Sequence, residues 1–362
     1  MEKPIHGGNL AWAAAQINCS PSLILDFSAS INPLGPPTSA ISAINQSLDT
    51  LKSYPDPDYR RLKCILAQEH QLSPEWILPG NGSAELLTWA CRELADSGLT
   101  WLINPAFGDY GRALRAFSAN IKAFTLTLPL ETEGTGNFAQ LPFPIPQAPC
   151  PMGLLLNNPH NPTGKLFACA EILPYLEKFA LVVVDEAFMD FLPPQEQQSL
   201  IHLVPNYPNL VILRSLTKFY SLPGLRLGYA IAHPERLQLW QQWRDPWSVN
   251  SLAAAVGEVV VRDREFAQNT WNWLLKARQE LFDGLAALPG LQPLKGAANY
   301  LLVKTDFPSS HLQIKLLQED RILIRDCLSF PELGDSYFRV AVRTAEDNQR
   351  LLVALNQVIQ QF

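Results

Sequence analysis

The chain has 362 residues, with 28 Lys and Arg against 34 Asp and Glu, and is 47% hydrophobic and 17% charged. That length allows a large core and two domains, and the composition is ordinary for a soluble globular protein. A formal net charge of −6 leaves no basic footprint for nucleic acid, and no uncharged apolar stretch approaches the roughly 18 residues of a membrane span.

Six cysteines, at 19, 64, 91, 150, 169 and 327, form no C-x-x-C pair. This argues against zinc and against a disulfide framework, and suits reduced thiols in the cytoplasm. The opening MEKPIHGGNLAWAAAQ has no long apolar core with a cleavage site, so no signal peptide is expected.

In chain order, residues 1–45 read as an irregular N-terminal arm lying across the rest, with INPLGPP forbidding helix locally. EWILPG (75–80) reads as a short strand. SAELLTWACRELADSG (83–98) reads as a helix that starts at Ser83, carries Glu85 early and stops at Gly98. TWLINP (100–105) is a strand, YGRALRAF (110–117) a helix and NIKAFTL (120–126) a strand. MGLLLNNP (152–159), LVVVDEAF (181–188) and LVILRS (210–215) are too continuously apolar to be half-exposed, so they read as buried strands. YAIAH (229–233) reads as a further strand. Such alternation argues for a mostly parallel sheet covered by helices. After Pro246 the texture changes. Residues 250–289 read as long helix, continuous or broken; ANYLLVKT, ILIRDC and FRVAVRT read as strands; helices are expected near 309–320 and 345–361. The expected division is an arm at 1–45, a large α/β domain at 46–245 and a smaller α+β domain at 246–362.

Open α/β sheets bind ligands at the carboxyl ends of their strands. Four strand ends here carry unusual polar residues: Asn157, Asp185, the Ser215-Leu-Thr217-Lys218 run, and Gly80-Asn-Gly82-Ser83 leading into a helix. Each has a plain structural reading, as turn former, helix cap or loop hydroxyl; four together are hard to explain that way. Gly82 and Ser83 at a helix start form an anion site, to which Ser215, Thr217 and Arg226 add donors. Asp185 on a buried strand needs a positive partner, which a protonated pyridine nitrogen supplies. Lys218 in a partly apolar site gains a reason to be neutral and nucleophilic. A phosphate cup, a pyridinium counter-ion and a Schiff-base lysine are the parts that pyridoxal phosphate needs.

The order Asn157, Asp185, Ser215-x-x-Lys218, Arg226 resembles the fold-type-I pyridoxal-phosphate enzymes, the aspartate aminotransferase superfamily, over nearly the whole chain. SYPDPDYRRLKCILA, NNPHNPTG and DEAFMDF are similar to its histidinol-phosphate aminotransferase branch. HGGN (6–9), LDFSASINPLGPP (25–37), RSLTKFYSLPGLRLGY (214–229), DPWSVNSLAA (245–254), ANYLLV (298–303), ILIRDC and YFRVAVRT are closer still to the threonine-phosphate decarboxylases of cobalamin synthesis.

The resemblance implies an aspartate-aminotransferase-like fold and decarboxylation of a small phosphorylated amino acid. It implies Lys218 as the covalent anchor, Asp185 at the ring nitrogen, Asn157 at the ring hydroxyl and Phe107 stacked on the ring. Gly82, Ser83, Ser215, Thr217 and Arg226 hold the phosphate, joined by Tyr54 from the partner of a homodimer. Arg339 grips the substrate carboxylate with Arg325 nearby, and His6 and Asn9 suit a substrate phosphate. Arg343 is an added cation for the same substrate or, alternatively, a surface salt bridge. Phe188 stands where the aminotransferases have Tyr, which favours the decarboxylase branch. Three rivals remain: histidinol-phosphate aminotransferase, a non-catalytic binding protein on the same fold, and an S-x-x-K hydrolase, whose S-D-N and K-T-G partners do not occur in the sequence.

Overall fold

A computed structural model describes residues 6–127 and 141–362; residues 1–5 of the expected arm lie outside them. The chain begins with α1 (Leu10–Ile17), β1 (Leu25–Asp26), α2 (Thr38–Ser47) and α3 (Arg60–His70). There follow β2 (Ile77–Asn81), α4 (Ser83–Asp96), β3 (Leu99–Asn104), α5 (Gly108–Ala116), β4 (Ile121–Thr125) and β5 (Cys150–Asn157). Next come α6 (Cys169–Leu176), β6 (Phe179–Asp185), β7 (Leu210–Ser215), β8 (Leu227–Ile231) and α7 (Pro234–Trp243). The C-terminal part holds α8 (Ser251–Val260), α9 (Arg264–Ala286), β9 (Leu291–Pro293), β10 (Tyr300–Thr305) and α10 (Ser309–Asp320). It ends with β11 (Ile322–Leu323), β12 (Arg325–Asp326), β13 (Tyr337–Ala341) and α11 (Ala345–Ile359).

Seven strands form the central sheet in the order β2-β8-β7-β6-β5-β3-β4. Strands β7, β6, β5, β3 and β4 run parallel, while β8 is antiparallel to both of its neighbours. Side chains alternate across the strands as the pleat requires. Val182, Val184 and Ile212 enter the larger apolar core, whereas Leu181, Val183, Val211 and Leu213 enter the smaller one on the opposite face. Both faces are covered, which is why these strands read as unbroken apolar runs. Each fully buried Val, Leu or Ile contributes about 1.5–3 kcal/mol.

The same alternation sorts the polar residues at the strand ends. Asn157, Asp185 and Ser215 continue the parity of the smaller core, whereas Glu186 and Arg214 continue that of the larger one. Glu186 accepts from Arg214 Nε at 3.0 Å, and Arg214 also pairs with Asp190. Sequence reasoning missed this buried network.

A second sheet has the order β12-β13-β10-β9, all antiparallel, with Arg325 directly opposite Arg339. The expected helix over 250–289 is broken between α8 and α9, where Asp263 caps α9 by accepting from the Phe266 N–H at 3.0 Å.

Within residues 6–45 the chain is not irregular. β1 pairs in parallel with β11, and α1 packs on α10. The arm is thus built into the C-terminal layer. Helix α2 starts directly after Pro36-Pro37 and turns Ala40 and Ala43 inward against α8. Proline stops the preceding helix but is tolerated at the first turn of the next. Among the described residues, no helix is long and apolar enough to cross a membrane. All six cysteines are free thiols.

Candidate active site

The reversed β8 gathers the anion-binding residues. It pairs Gly228 with Gly80 of β2 on one side and with Ser215 of β7 on the other. Running antiparallel, it begins where its neighbours end, so Arg226 just before it lies at the same edge of the sheet. A Cβ on Gly228 would stand 2.5 Å from the Ser83 N–H nitrogen and 2.7 Å from the Arg214 carbonyl oxygen. Only glycine lets β8 come this close to the start of α4. Gly82, at φ 72° and ψ 161°, holds a conformation that other residues rarely adopt, and a Cβ there would overlap the Arg226 guanidinium. The backbone of Gly82, the N-terminus of α4 and Arg226 thus form a cradle. Glu85 fixes the turn by accepting from the Asn81 N–H at 2.6 Å.

The lysine stands beside this cradle. Lys218 Nζ donates to Thr217 Oγ1 at 2.8 Å and lies 3.5 Å from Ser215 Oγ; the two hydroxyls are 2.8 Å apart. Burial pushes the Lys218 pKa down to about 8; Asp185 pulls it up, while Arg226 and Arg339 push it further down. Asp185 lies beside Asn157 in register. Its carboxylate accepts from the Tyr110 hydroxyl at 2.8 Å and from the Ala187 N–H at 3.0 Å. Burial raises its pKa, opposed by those two bonds and by Lys218. Tyr110 was not foreseen. It opens the expected helix 110–117, three residues after Phe107, which precedes α5, and the two rings pack edge to face at 5.5 Å.

A cavity of about 230 Å3 opens over these groups. Its walls include Ser83, Phe107, Asn157, Asp185, Phe188, Lys218, Arg325, Arg339 and His6. Gly82, Ser215, Thr217 and Arg226 do not line it; Ser215 and Thr217 meet it through Lys218, and Gly82 abuts Arg226. Arg339 is 8% exposed and pairs with no carboxylate among the described residues. Its partners are neutral: the Asn161 amide oxygen, the Ser28 carbonyl at 3.2 Å and the face of Tyr300 at 4.8 Å; its Nε is buried without a partner. Burial lowers its pKa. Arg325, 5% exposed, reaches Asp326 at 3.6 Å and the Ser329 hydroxyl.

Two expected residues lie outside this cavity, and Tyr54, expected to serve a partner subunit's site, lies on the surface. Arg343 does not reach the cavity: its Nε pairs with Asp347 at 3.0 Å and its Nη1 donates to the Asp26 carbonyl at 3.2 Å, so the salt-bridge reading is the one observed. Asn9 also stays outside, because its side-chain oxygen caps α1 by accepting from the Trp12 N–H at 3.0 Å. Tyr54 is 78% exposed and stacks on Trp247 with ring centres 4.4 Å apart, on an outer surface of the chain.

Among the described residues, no cluster of three His, Cys, Asp or Glu side chains could hold a metal ion. The donor set fits a phosphorylated aromatic aldehyde instead. The cradle offers N–H, hydroxyl and guanidinium donors to a phosphate, Lys218 offers an amine of lowered pKa, and Asp185 offers a buried carboxylate.

Comparison with known proteins agrees with this fold. The Salmonella typhimurium threonine-phosphate decarboxylase is 39% identical over 98% of this chain and 96% of its own. The structure of the histidinol-phosphate aminotransferase of Clostridium acetobutylicum superposes with a TM-score of 0.82 at 26% identity, covering 94% of this chain and all of that one. The fold is also that of the Sinorhizobium meliloti histidinol-phosphate aminotransferase, solved in complex with pyridoxal-5'-phosphate, with a TM-score of 0.84 at 21% identity over 98% of this chain and 95% of that one. The family model for aminotransferase class I and II matches residues 23–355. The chain belongs to the aminotransferase class I and II family.

Proposed function

We propose that the chain is a pyridoxal-phosphate-dependent decarboxylase. Its substrate is L-threonine O-3-phosphate, and its products are CO2 and (R)-1-amino-2-propanol phosphate, the precursor of the cobalamin linker. It works as a homodimer in the cytoplasm, a setting that six free thiols suit. The observation that carries this reading is Arg339. A buried guanidinium with only neutral partners is costly unless an anion joins it, and Arg325 faces the same cavity. Threonine phosphate brings a carboxylate and a phosphate close together. Histidinol phosphate brings a phosphate and no carboxylate. The identity to the Salmonella decarboxylase supports the same choice.

Pyridoxal phosphate, when bound, supplies an aldehyde for the substrate amine and a ring that draws electrons from the bond broken at Cα. Gly82, Ser83, Ser215, Thr217 and Arg226 hold its phosphate, completed by Tyr54 of the partner subunit. Asp185 keeps the ring nitrogen protonated, Asn157 donates to the ring hydroxyl and Phe107 covers one ring face. Lys218 would hold the aldehyde through its amine, and the same amine would return a proton to Cα of the substrate. Arg339 binds the substrate carboxylate; Arg325 and His6 bind its phosphate. Fixing both anions would set the torsion at Cα and so select which of its bonds breaks. Each charge-assisted contact contributes about 1.5–3 kcal/mol.

The test is incubation of the holoenzyme with threonine phosphate, measuring CO2 and aminopropanol phosphate, beside a 2-oxoglutarate-coupled assay with histidinol phosphate. Decarboxylation is expected to exceed transamination by a wide margin. Efficient transamination of histidinol phosphate with no CO2 from threonine phosphate replaces this reading with the aminotransferase.

A further inference from the structure

The N-terminal arm meets the candidate site around one serine. Ser28 follows β1 and is 2% exposed. Its hydroxyl donates to Asp26 Oδ1 at 2.6 Å, and its backbone N–H donates to the same oxygen at 2.7 Å. A hydroxyl has one proton. With that proton given to Asp26, the oxygen is left to accept, and it accepts the Gly8 N–H at 2.7 Å. The carbonyl of Ser28 accepts from Arg339 Nη2 at 3.2 Å. Gly7 lies so close to this carbonyl that a Cβ on it would overlap the oxygen. One residue therefore holds the arm through its side chain and Arg339 through its backbone.

The arm crosses the cavity from this point. His6 and Gly7 are part of its wall, and the His6 ring stands 5.5 Å from that of Phe107, at the corner between β3 and α5. On the other side, Asn9 caps α1, whose Trp12 and Ala13 pack on Leu317 and Leu323 of the C-terminal layer. The helix cap needs Asn9 alone. It leaves unexplained both the buried Asp26–Ser28 pair and the contact of Gly7 with the carbonyl that Arg339 uses.

We propose that Ser28 is a positioning residue for substrate, latching His6–Gly8 over the cavity and aiming Arg339 into it, so that arm closure and the grip on the substrate anion depend on each other. This rests on the reading of the cavity as a site for a phosphorylated amino acid. The residues proposed to hold the cofactor, on α4, β5, β6 and β7, beside β8 and at Phe107, make none of the hydrogen bonds of Ser28.

The experiment compares wild-type, Ser28→Ala and Gly7→Ala holoenzymes. It reads KM and kcat for threonine phosphate, the cofactor absorbance, thermal stability, and hydrogen exchange in the N-terminal peptide through Leu10. Both variants should raise KM about tenfold, equivalent to about 1.4 kcal/mol, with kcat changed less than about twofold, the cofactor spectrum kept and N-terminal exchange accelerated. Gly7 is exposed, so its variant carries the test if Ser28→Ala lowers stability. An unchanged KM in Gly7→Ala with faster exchange overturns the coupling to substrate. Unchanged exchange in both variants overturns the latch. If wild-type enzyme does not turn over threonine phosphate, the functional reading fails separately, and faster or unchanged exchange in Ser28→Ala still decides the latch.

Discussion

Gly82→Ala should weaken cofactor binding and protein stability by two separable amounts. The backbone at Gly82 has φ 72° and ψ 161°. Holding alanine in so sparsely populated a region costs on the order of 1–3 kcal/mol. That strain is present with or without cofactor, so it appears as lost stability of the apoenzyme. The second amount comes from Arg226. The new Cβ overlaps its guanidinium, which must swing away and lose its charge-assisted contact with the phosphate. Such a contact is worth about 1.5–3 kcal/mol, so the cofactor Kd should rise about 10- to 150-fold. The assay strips the enzyme of cofactor, titrates it back by absorbance, and measures apoenzyme stability by denaturant unfolding. Arg226→Ala should reproduce the affinity loss without the strain, and adding it to Gly82→Ala should lower affinity no further. Wild-type cofactor affinity in Gly82→Ala refutes the cradle.

Four further outcomes are expected. Burial lowers the Lys218 pKa to about 8, and only the neutral amine captures an aldehyde. Reconstitution of the apoenzyme should therefore speed up as pH rises through about 8 and level off above it; a rate flat from about pH 7 to 9 contradicts this. Tyr110→Phe removes a bond that favours ionised Asp185. The carboxyl pKa then rises, and activity, which needs the carboxylate, should fail at a higher pH on the acid side; an unmoved acid limb counts against the role of Tyr110. Arg339→Ala should lower kcat/KM by about tenfold or more, given the 1.5–3 kcal/mol of a charge-assisted contact. Arg343→Ala should leave KM within about twofold and cost about 0.2–1 kcal/mol of stability from its Asp347 pair. A large KM effect at Arg343 refutes its placement outside the site.

The strand ends were legible because Asn157, Asp185 and Ser215 are residue types that do not belong at the end of an apolar strand without a task. The direction of β8 was not legible: YAIAH has the same composition whichever way it runs, and only its neighbours reveal that Gly228 faces both Gly80 and Ser215. Alternation was legible in principle. Adjacent Asp185 and Glu186 must face opposite sides, so a second, buried partner such as Arg214 was implied. The arm misled because Gly and Pro flank two short helices. The burial of LAWAAAQI depends on contacts with α10, more than 290 positions later in the chain. Tyr110 looked like any aromatic on the buried face of a helix. Arg343 looked like a spare cation, although Asp347 stands four residues on, in the first turn of α11.

The most direct test of the account follows the carboxyl carbon. Holoenzyme is given threonine phosphate labelled with carbon-13 in the carboxyl group, in heavy water without an oxoacid, and the mixture is followed by NMR. The account predicts that the label leaves as CO2 and bicarbonate, while aminopropanol phosphate accumulates with deuterium on the carbon that lost it. A label that stays on the organic phosphate, with the amino group lost only when 2-oxoglutarate is added to take it, contradicts it.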